Sequence, residues 1–146
     1  MTRYHVITDA KTGQTQSIAY SPDEEGAADA AEIPTVEMVH GERERRIALP
    51  LAVTLAVGTI EINMDAPSQR NIQGLASVGQ YLAVANPSQT TNFRAYDNNT
   101  YSLTPADLVG MGLQVAARIQ ACYAAEWALK AMSPIPSDFT DDQYWP

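Results

Sequence analysis

Apolar residues recur along this chain at two spacings, and each spacing predicts a different element. A period of two predicts strands, whereas a period near 3.6 predicts helices. Residues 4–8 and 14–20 predict two strands, and the turn that ends at Gly13 joins them into an N-terminal hairpin. Ser21, which is followed by proline and three acidic residues, predicts the start of a short helix that ends before Pro34.

The middle of the chain predicts a connector and two strands. Residues 41–46 alternate in charge sign, which indicates an exposed linking segment. Residues 47–57 and 59–64 then follow as apolar segments with a period of two. Both faces of the first segment are mildly apolar, which predicts a strand that is covered on both sides. The longest apolar stretch, residues 47–60, is too short to span a bilayer.

Two further helices are marked by their capping residues. Asp65, with Pro67 in the first turn, predicts a helix that runs to about residue 85. Thr104, followed by Pro105, predicts the start of a long alanine-rich helix that ends near Met132. The resulting unit has the order βαββα.

A tyrosine-rich hairpin lies between these two helices. Residues 93–96 and 101–103 predict its strands, and the pair at residues 98–99 suits a type I′ turn because asparagine tolerates positive φ. That register places Tyr96 directly opposite Tyr101.

The fold class that follows is α+β. An N-terminal hairpin, a short helix and a charged connector occupy residues 1–46, the βαββα unit occupies residues 47–132, and an extended tail occupies residues 133–146. Three prolines lie in this tail, Pro134, Pro136 and Pro146, so it is expected to form neither a helix nor a central strand.

The long helix is apolar around most of its circumference, which predicts burial on most sides. The rest of a small chain covers one or two sides, so we expect another subunit to cover the remainder. The alternative is that its alanines are exposed helix formers. The expected interface residues on this helix are Leu108, Val115, Ile119, Tyr123 and Trp127.

The tail adds three aromatic residues to this expected interface. Phe139, Tyr144 and Trp145 are costly to leave in water, and aromatic side chains are common at interface centres. The tail is therefore expected to dock as an extended arm in a groove of an adjacent subunit. The alternative is that it folds back on its own domain.

One polar cluster is expected at the start of the first long helix, formed by Asp65, Ser68, Gln69 and Asn71. Ser68 and Asn71 each precede an apolar residue by four positions, which predicts that both face inward. Inward polar groups need partners, so the cluster is interpreted as structural. A small-ligand contact is the alternative.

Catalytic chemistry is not predicted. The net charge of −8 disfavours nucleic acid and anionic membranes as partners. His5 and His40 fall in different elements, and no His, Cys or carboxylate set has the spacing of a metal site. The single cysteine, Cys122, lies on the inner seam of the long helix and is interpreted as a core residue. No catalytic residue, cofactor site or small-molecule substrate is therefore predicted.

Several motifs in a fixed order resemble a family of tailed-bacteriophage domains. They are Asp65-x-x-Ser68-Gln69-x-Asn71-Ile72, Asp97-Asn98-Asn99-Thr100, Leu103-Thr104-Pro105-Ala106-Asp107 and Ala121-Cys122-Tyr123. The family has no known biochemical function and is encoded in phages and prophages, often among tail-fibre and tail-fibre-assembly genes. The resemblance covers about residues 58–132. Two departures are expected: the apolar segment 47–57 replaces a basic helix that often precedes the domain, and the tail is private to this chain.

The resemblance implies a structural component of a phage tail, associated with the fibres or the baseplate and acting by protein–protein assembly. Its partners would be other tail or tail-fibre proteins, and the protein would be a homo-oligomer rather than an enzyme. It would reside in the virion tail, and in the host cytoplasm during assembly. The alternatives are a tail-fibre assembly chaperone that leaves before maturation and, remotely, a small ligand-binding protein or hydrolase.

Overall fold

The computed structural model describes residues 4–8, 10–23 and 33–146, and it divides the chain into two compact units, residues 1–33 and 34–146. In the first unit, β1 (Tyr4–Thr8) pairs antiparallel with β2 (Thr15–Ala19). The predicted hairpin is therefore confirmed. Most of the short helix expected after Ser21 lies outside the described residues.

The second unit begins with helix α1 (Val36–Ala48). The Thr35 hydroxyl caps it by accepting the Met38 N–H at 3.3 Å. The expectation of an exposed connector at residues 41–46 is wrong, because this segment is the interior of the helix. Its alternating charges lie three and four residues apart, where they form ion pairs along a helix instead of marking a linker.

The next pair of strands is shorter than predicted. β3 (Leu51–Leu55) and β4 (Gly58–Ile62) form an antiparallel hairpin in which Val53 is opposite Ile60. Ile47, expected to begin the first strand, belongs to α1. Gly58 has φ of 111°, a conformation that closes the tight turn and that other residues rarely adopt.

The remaining elements are α2 (Ala66–Ala85), β5 (Thr91–Arg94), β6 (Thr100–Leu103) and α3 (Pro105–Lys130). The predicted helix caps are present in both helices. The Asp65 carboxylate accepts the Ser68 N–H at 2.8 Å. Thr104 and Asp107 form a reciprocal capping box at the start of α3. The α+β class is therefore confirmed.

The register of the second predicted hairpin is wrong. Phe93, rather than Tyr96, is opposite Tyr101, and the loop is five residues long instead of two. The Asp97 carboxylate explains this wider loop, because it accepts the Asn99 N–H at 2.9 Å and the Tyr101 hydroxyl at 2.8 Å. Tyr96 is displaced into the loop, where its N–H donates to the Glu61 carbonyl oxygen at 2.9 Å.

The described strands form three separate two-stranded sheets, so the main core depends on helix packing. It lies where the hairpins of the second unit meet α2 and α3. The buried side chains in this core are Val53, Ile60, Ile62, Met64, Ile72, Phe93, Ala95, Leu103, Leu108, Met111 and Val115.

Two glycines allow α2 and α3 to approach closely. A Cβ atom on Gly79 would lie 2.8 Å from the Pro105 carbonyl oxygen and 2.9 Å from the Leu108 Cβ. A Cβ atom on Gly112 would lie 2.6 Å from the Ala76 Cβ. These contacts involve the backbone or the first side-chain atom, so no flexible group can move aside.

This close approach predicts opposite effects for two glycine substitutions in α2. Gly79→Ala is expected to lower the free energy of unfolding by about 1–3 kcal/mol, because the added methyl overpacks the interface. Gly74→Ala is the matched control, since nothing lies within 4 Å of its added methyl. It is expected to raise that free energy by about 1 kcal/mol through helix propensity. Urea unfolding of both variants measures the difference, and equal effects would contradict the close packing.

The C-terminal tail folds back on its own domain, so the expectation of an extended arm is wrong. Phe139 and Trp145 are 6% and 7% exposed and pack with Val39 and Leu129 in a second core. The Trp145 indole N–H donates to the Phe139 carbonyl oxygen at 2.7 Å, and a short 3₁₀ turn at Asp142–Tyr144 brings the indole into place. The apolar seam between α1 and α3 provides the groove within the same chain.

Candidate assembly interface

The predicted polar cluster lies at the start of α2, and most of it is structural. Asp65 caps the helix, and the Gln69 side chain donates to the Met64 carbonyl oxygen at 2.6 Å. Ser68 is half-buried, but Asn71 is exposed. The expectation that Asn71 faces inward is wrong, because the buried stripe of α2 runs through the neighbouring residue Ile72 and one position turns a helix by about 100°.

A shallow recess beside this cluster is the place where a small ligand would bind if the cluster were a ligand contact. Asn63, Ser68, Asn71, Phe93 and Arg94 contribute to its lining, and its volume is about 70 Å³. Pockets for small molecules usually occupy about 300–1,000 Å³. The recess is therefore too small to favour the ligand interpretation over the structural one.

A buried ion-pair cluster joins α1 to α3, and sequence reasoning missed it. Glu126 is 1% exposed and accepts hydrogen bonds from Arg43 and Lys130, each at 2.5 Å. The Arg43 guanidinium also stacks over the Tyr123 ring, 4.2 Å from its centroid. Burial alone would raise the pKa of Glu126, but the hydrogen bonds from Lys130 and Arg43 outweigh it and lower the pKa, so the carboxylate is ionised.

A second charged group anchors the tail to α1. Arg46, which is 7% exposed, pairs with Glu42 at 2.7 Å and with Asp142 at 2.6 Å. It also donates to the Thr140 carbonyl oxygen at 2.6 Å. Arg118 of α3 donates to the backbone oxygen of Arg46 at 3.2 Å. The only local signal for this group was the spacing of Glu42 and Arg46, which are four residues apart.

The outward face of α3 has the opposite composition to that of an ordinary surface helix. All four charged residues of this fully described helix are buried or half-buried: Asp107, Arg118, Glu126 and Lys130. Its exposed residues carry no charge, and Gln120 is the only polar one. The exposed residues are Ala106, Leu113, Ala116, Ala117, Gln120, Ala124, Trp127 and Ala128. We call this set the outer face of α3.

A groove of about 420 Å³ borders the outer face on the side of α2. Its α3 wall is apolar and includes Val109, Leu113 and Ala116. Its α2 wall includes Gln73 and Gln80. Arg70 is the only ionisable residue among those that line it. The groove can therefore hold an apolar side chain, but it presents no acid–base or nucleophilic pair.

The predicted interface residues are divided between the interior and the surface. Leu108 and Val115 lie in the main core, and Phe139 and Trp145 lie in the second core. Ile119, Tyr123 and Tyr144 are half-buried. Trp127 is 62% exposed, and Leu113, which was not among the predicted interface residues, is 67% exposed. The surface available for a partner is therefore narrower than the sequence predicted.

The titratable residues outside these clusters form no reactive set in the described ranges. Among residues 4–8, 10–23 and 33–146, no three His, Cys, Asp or Glu side chains are grouped as metal ligands. Cys122 is fully buried, and burial raises the pKa of its thiol. His40 Nδ1 lies 3.5 Å from the Glu126 carboxylate. The helices of the same ranges include none that is both long enough and apolar enough to cross a membrane.

The fold therefore defines a small α+β domain with two cores, buried ion pairs and an uncharged outer helix face. This chain belongs to the family of a domain of unknown function, DUF4376, whose model matches residues 30–143. No curated protein and no solved structure matches the chain.

The extent of the family match bears on the two expected differences from the family, which were a missing helix before the domain and a tail found only in this chain. It includes α1, so a charged helix does precede the β3–β4 hairpin, and the apolar segment does not replace it. It also includes the tail as far as residue 143, so most of the tail is shared with the family. Both expected departures are therefore wrong, because the helix and the tail were not recognised as parts of one domain.

Proposed function

We propose that this protein is a structural component of a bacteriophage tail, associated with the fibres or the baseplate. It acts by protein–protein assembly with other tail or tail-fibre proteins and with copies of itself. It is located in the virion tail, and in the host cytoplasm during assembly. The phage context of the proposal rests on the motif resemblance, whereas the mode of action rests on the outer face of α3.

The observation that carries the proposal is that α3 buries its charged side chains and exposes two large apolar ones. A surface helix normally exposes its charges and buries its apolar residues. Here Glu126 and Lys130 pair within the domain, while Leu113 and Trp127 remain in solvent. Contiguous apolar surface of this kind is characteristic of protein interaction sites.

The groove beside α3 supports a non-catalytic role. Its one ionisable residue, Arg70, has no titratable partner among the lining residues. Catalysis by general acid–base or nucleophilic mechanisms needs at least two such groups in contact. An apolar wall that continues into an exposed helix face is better suited to an apolar side chain of a protein partner.

Mass spectrometry of purified virions tests the proposal. Virions from the strain that encodes this chain are expected to contain it at a fixed ratio to the other tail proteins. Its presence only in cell lysates, bound to unassembled fibre protein, would instead establish the assembly-chaperone alternative. Its absence from both would overturn the assignment to phage tails.

A pair of variants tests whether incorporation into virions depends on the outer face of α3. Leu113→Glu combined with Trp127→Glu places charge on that face and is expected to deplete the chain from virions by about tenfold or more. Tyr81→Glu is the matched control, since Tyr81 is an exposed aromatic residue of α2, at 72%, that does not line the groove. Equal incorporation of both proteins would contradict assembly through α3.

A further inference from the structure

The outer face of α3 has an internal symmetry centred on Gln120. Leu113 lies seven residues before Gln120 and Trp127 lies seven residues after it. Ala116 and Ala124 lie four residues before and after it. The two large exposed side chains are therefore equidistant from the centre, about 21 Å from each other along the helix, and small side chains lie between them.

A face with this pattern is complementary to itself in one orientation. A two-fold axis through Gln120 reverses the second helix, so Leu113 of one copy lies beside Trp127 of the other. Ala116 then lies beside Ala124 of the second copy, which allows the helix axes to approach closely. The two Gln120 side chains meet at the axis, where each amide can donate to and accept from the other.

The groove lies where this arrangement places the tryptophan of the second copy. At about 100° per residue, Trp127 and Ala116 lie on the same side of Gln120, which is the side that faces α2. The two-fold axis is perpendicular to the two helices, so the grooves of both copies open on the same side of the helix pair. The indole of each copy therefore reaches the groove beside Leu113 of the other, and the volume of about 420 Å³ is ample for it.

The charge distribution also permits a second copy as the occupant. Each chain carries a net charge of −8, so two copies repel each other wherever acidic surfaces meet. Two copies can meet at the outer face without placing like charges together, since none of its exposed residues is charged.

We propose that two copies of this protein pair antiparallel through the outer face of α3, with Trp127 of each copy in the α2–α3 groove of the other. This pairing rests on the proposed function as an assembly protein and names the partner of that same surface. Virion content tests the phage role, whereas the pairing is tested on the isolated protein, so the two can fail separately.

Cysteine cross-linking of the full-length chain tests the arrangement. Gln120→Cys lies on the axis and is expected to give a disulfide-linked dimer on mild oxidation, since a disulfide needs Cα atoms within about 7 Å of each other. Ala116→Cys alone and Ala124→Cys alone are expected to stay monomeric in denaturing gels, because each would be about 12 Å from its own copy along the helix. A mixture of these two variants is expected to give the linked heterodimer.

The controls separate this arrangement from others. The unaltered chain should give no cross-link, since Cys122 is fully buried. Cross-linking of Ala116→Cys and Ala124→Cys each to itself would indicate parallel helices and would overturn the proposal. Failure of Gln120→Cys to cross-link would also overturn it.

Light scattering at micromolar concentration gives an independent readout. The full chain is expected at twice the monomer mass of 15.8 kDa. Trp127→Ala is expected to weaken the dimer by about 30-fold or more, as for an aromatic side chain at an interface centre. Tyr81→Ala should leave the dimer unchanged. A monomeric full chain, or equal dimerisation of both variants, would overturn the pairing.

Discussion

Replacement of Glu126 by alanine is expected to lower the free energy of unfolding by about 3–5 kcal/mol. The substitution removes the carboxylate that pairs with Arg43 in the interior, where the side chains of both residues are 6% exposed or less. The Arg43 Nε atom already lacks a hydrogen-bond partner. The guanidinium would therefore be left with a buried charge that the protein compensates poorly.

Glu44→Ala is the matched control for this experiment. Glu44 also contacts Arg43, but its side chain is 57% exposed, so its loss is expected to cost less than about 1 kcal/mol. Urea unfolding at one fixed protein concentration compares the two variants, because dimerisation adds a concentration-dependent contribution. Similar losses of unfolding free energy in the two variants would show that the buried Glu126–Arg43 pair stabilises the fold no more than the exposed Glu44 contact does.

The pH dependence of stability provides a second readout of the same pair. Hydrogen bonds from Lys130 and Arg43 hold the pKa of Glu126 below its ordinary value despite burial. A carboxyl group whose pKa is lower in the folded state contributes stability above its unfolded pKa and loses that contribution as the pH falls through its folded pKa. The unaltered protein should therefore lose stability as the pH falls and Glu126 takes up a proton. The Glu126→Ala variant should lose less stability over the same acidic pH range.

Trp145→Ala is expected to lower the free energy of unfolding by about 3–5 kcal/mol, as for other truncations of buried aromatic residues. Trp145 is 7% exposed and packs with Phe139 in the second core. Its loss removes both the apolar contact and the hydrogen bond from its indole N–H. The tail would then lose one of the two buried aromatic side chains that pack it in the second core.

The other tryptophan of the chain is the control for this substitution. Trp127 is 62% exposed, so Trp127→Ala is expected to change the stability of the monomer by about 0.5 kcal/mol or less. Thermal unfolding at concentrations where each variant is monomeric compares them. Equal stability of both variants would show that the tail is not packed on the domain.

The elements that the sequence predicted well are those with local signals. Asp65 and Thr104 mark helix starts because their side chains accept N–H groups only three residues away. The two helices that they cap were predicted to within about two residues at each end. Val53 and Ile60 share a buried face, as the period of two predicts. The expectation that the first of these strands is covered on both sides is wrong, because Ala52 and Thr54 on its other face are exposed.

The elements that the sequence predicted poorly depend on distant partners. From its sequence neighbours alone, Arg43 is typical of an exposed connector. Its buried position depends on Glu126, which is 83 residues away in the sequence. Arg46 pairs with Asp142, 96 residues away, once the tail has folded back onto α1. Local hydropathy contains no information about such pairs, so α1 and the position of the tail were both mispredicted. The outer face of α3 could be outlined from its alanines, but its exposed residues could be distinguished only after the two cores were known.

One carboxylate also couples the β3–β4 turn to the start of α3. Asp107 accepts the Thr104 N–H at 3.0 Å at the start of α3 and, through its other oxygen, the Ala56 N–H in the β3–β4 turn at 2.7 Å. These positions are 51 residues apart, so the contact forms only after a long loop has closed, at an entropic cost that grows slowly with loop length. The full set of hydrogen bonds of the turn therefore depends on the helix start, which makes completion of this local hairpin a non-local contact.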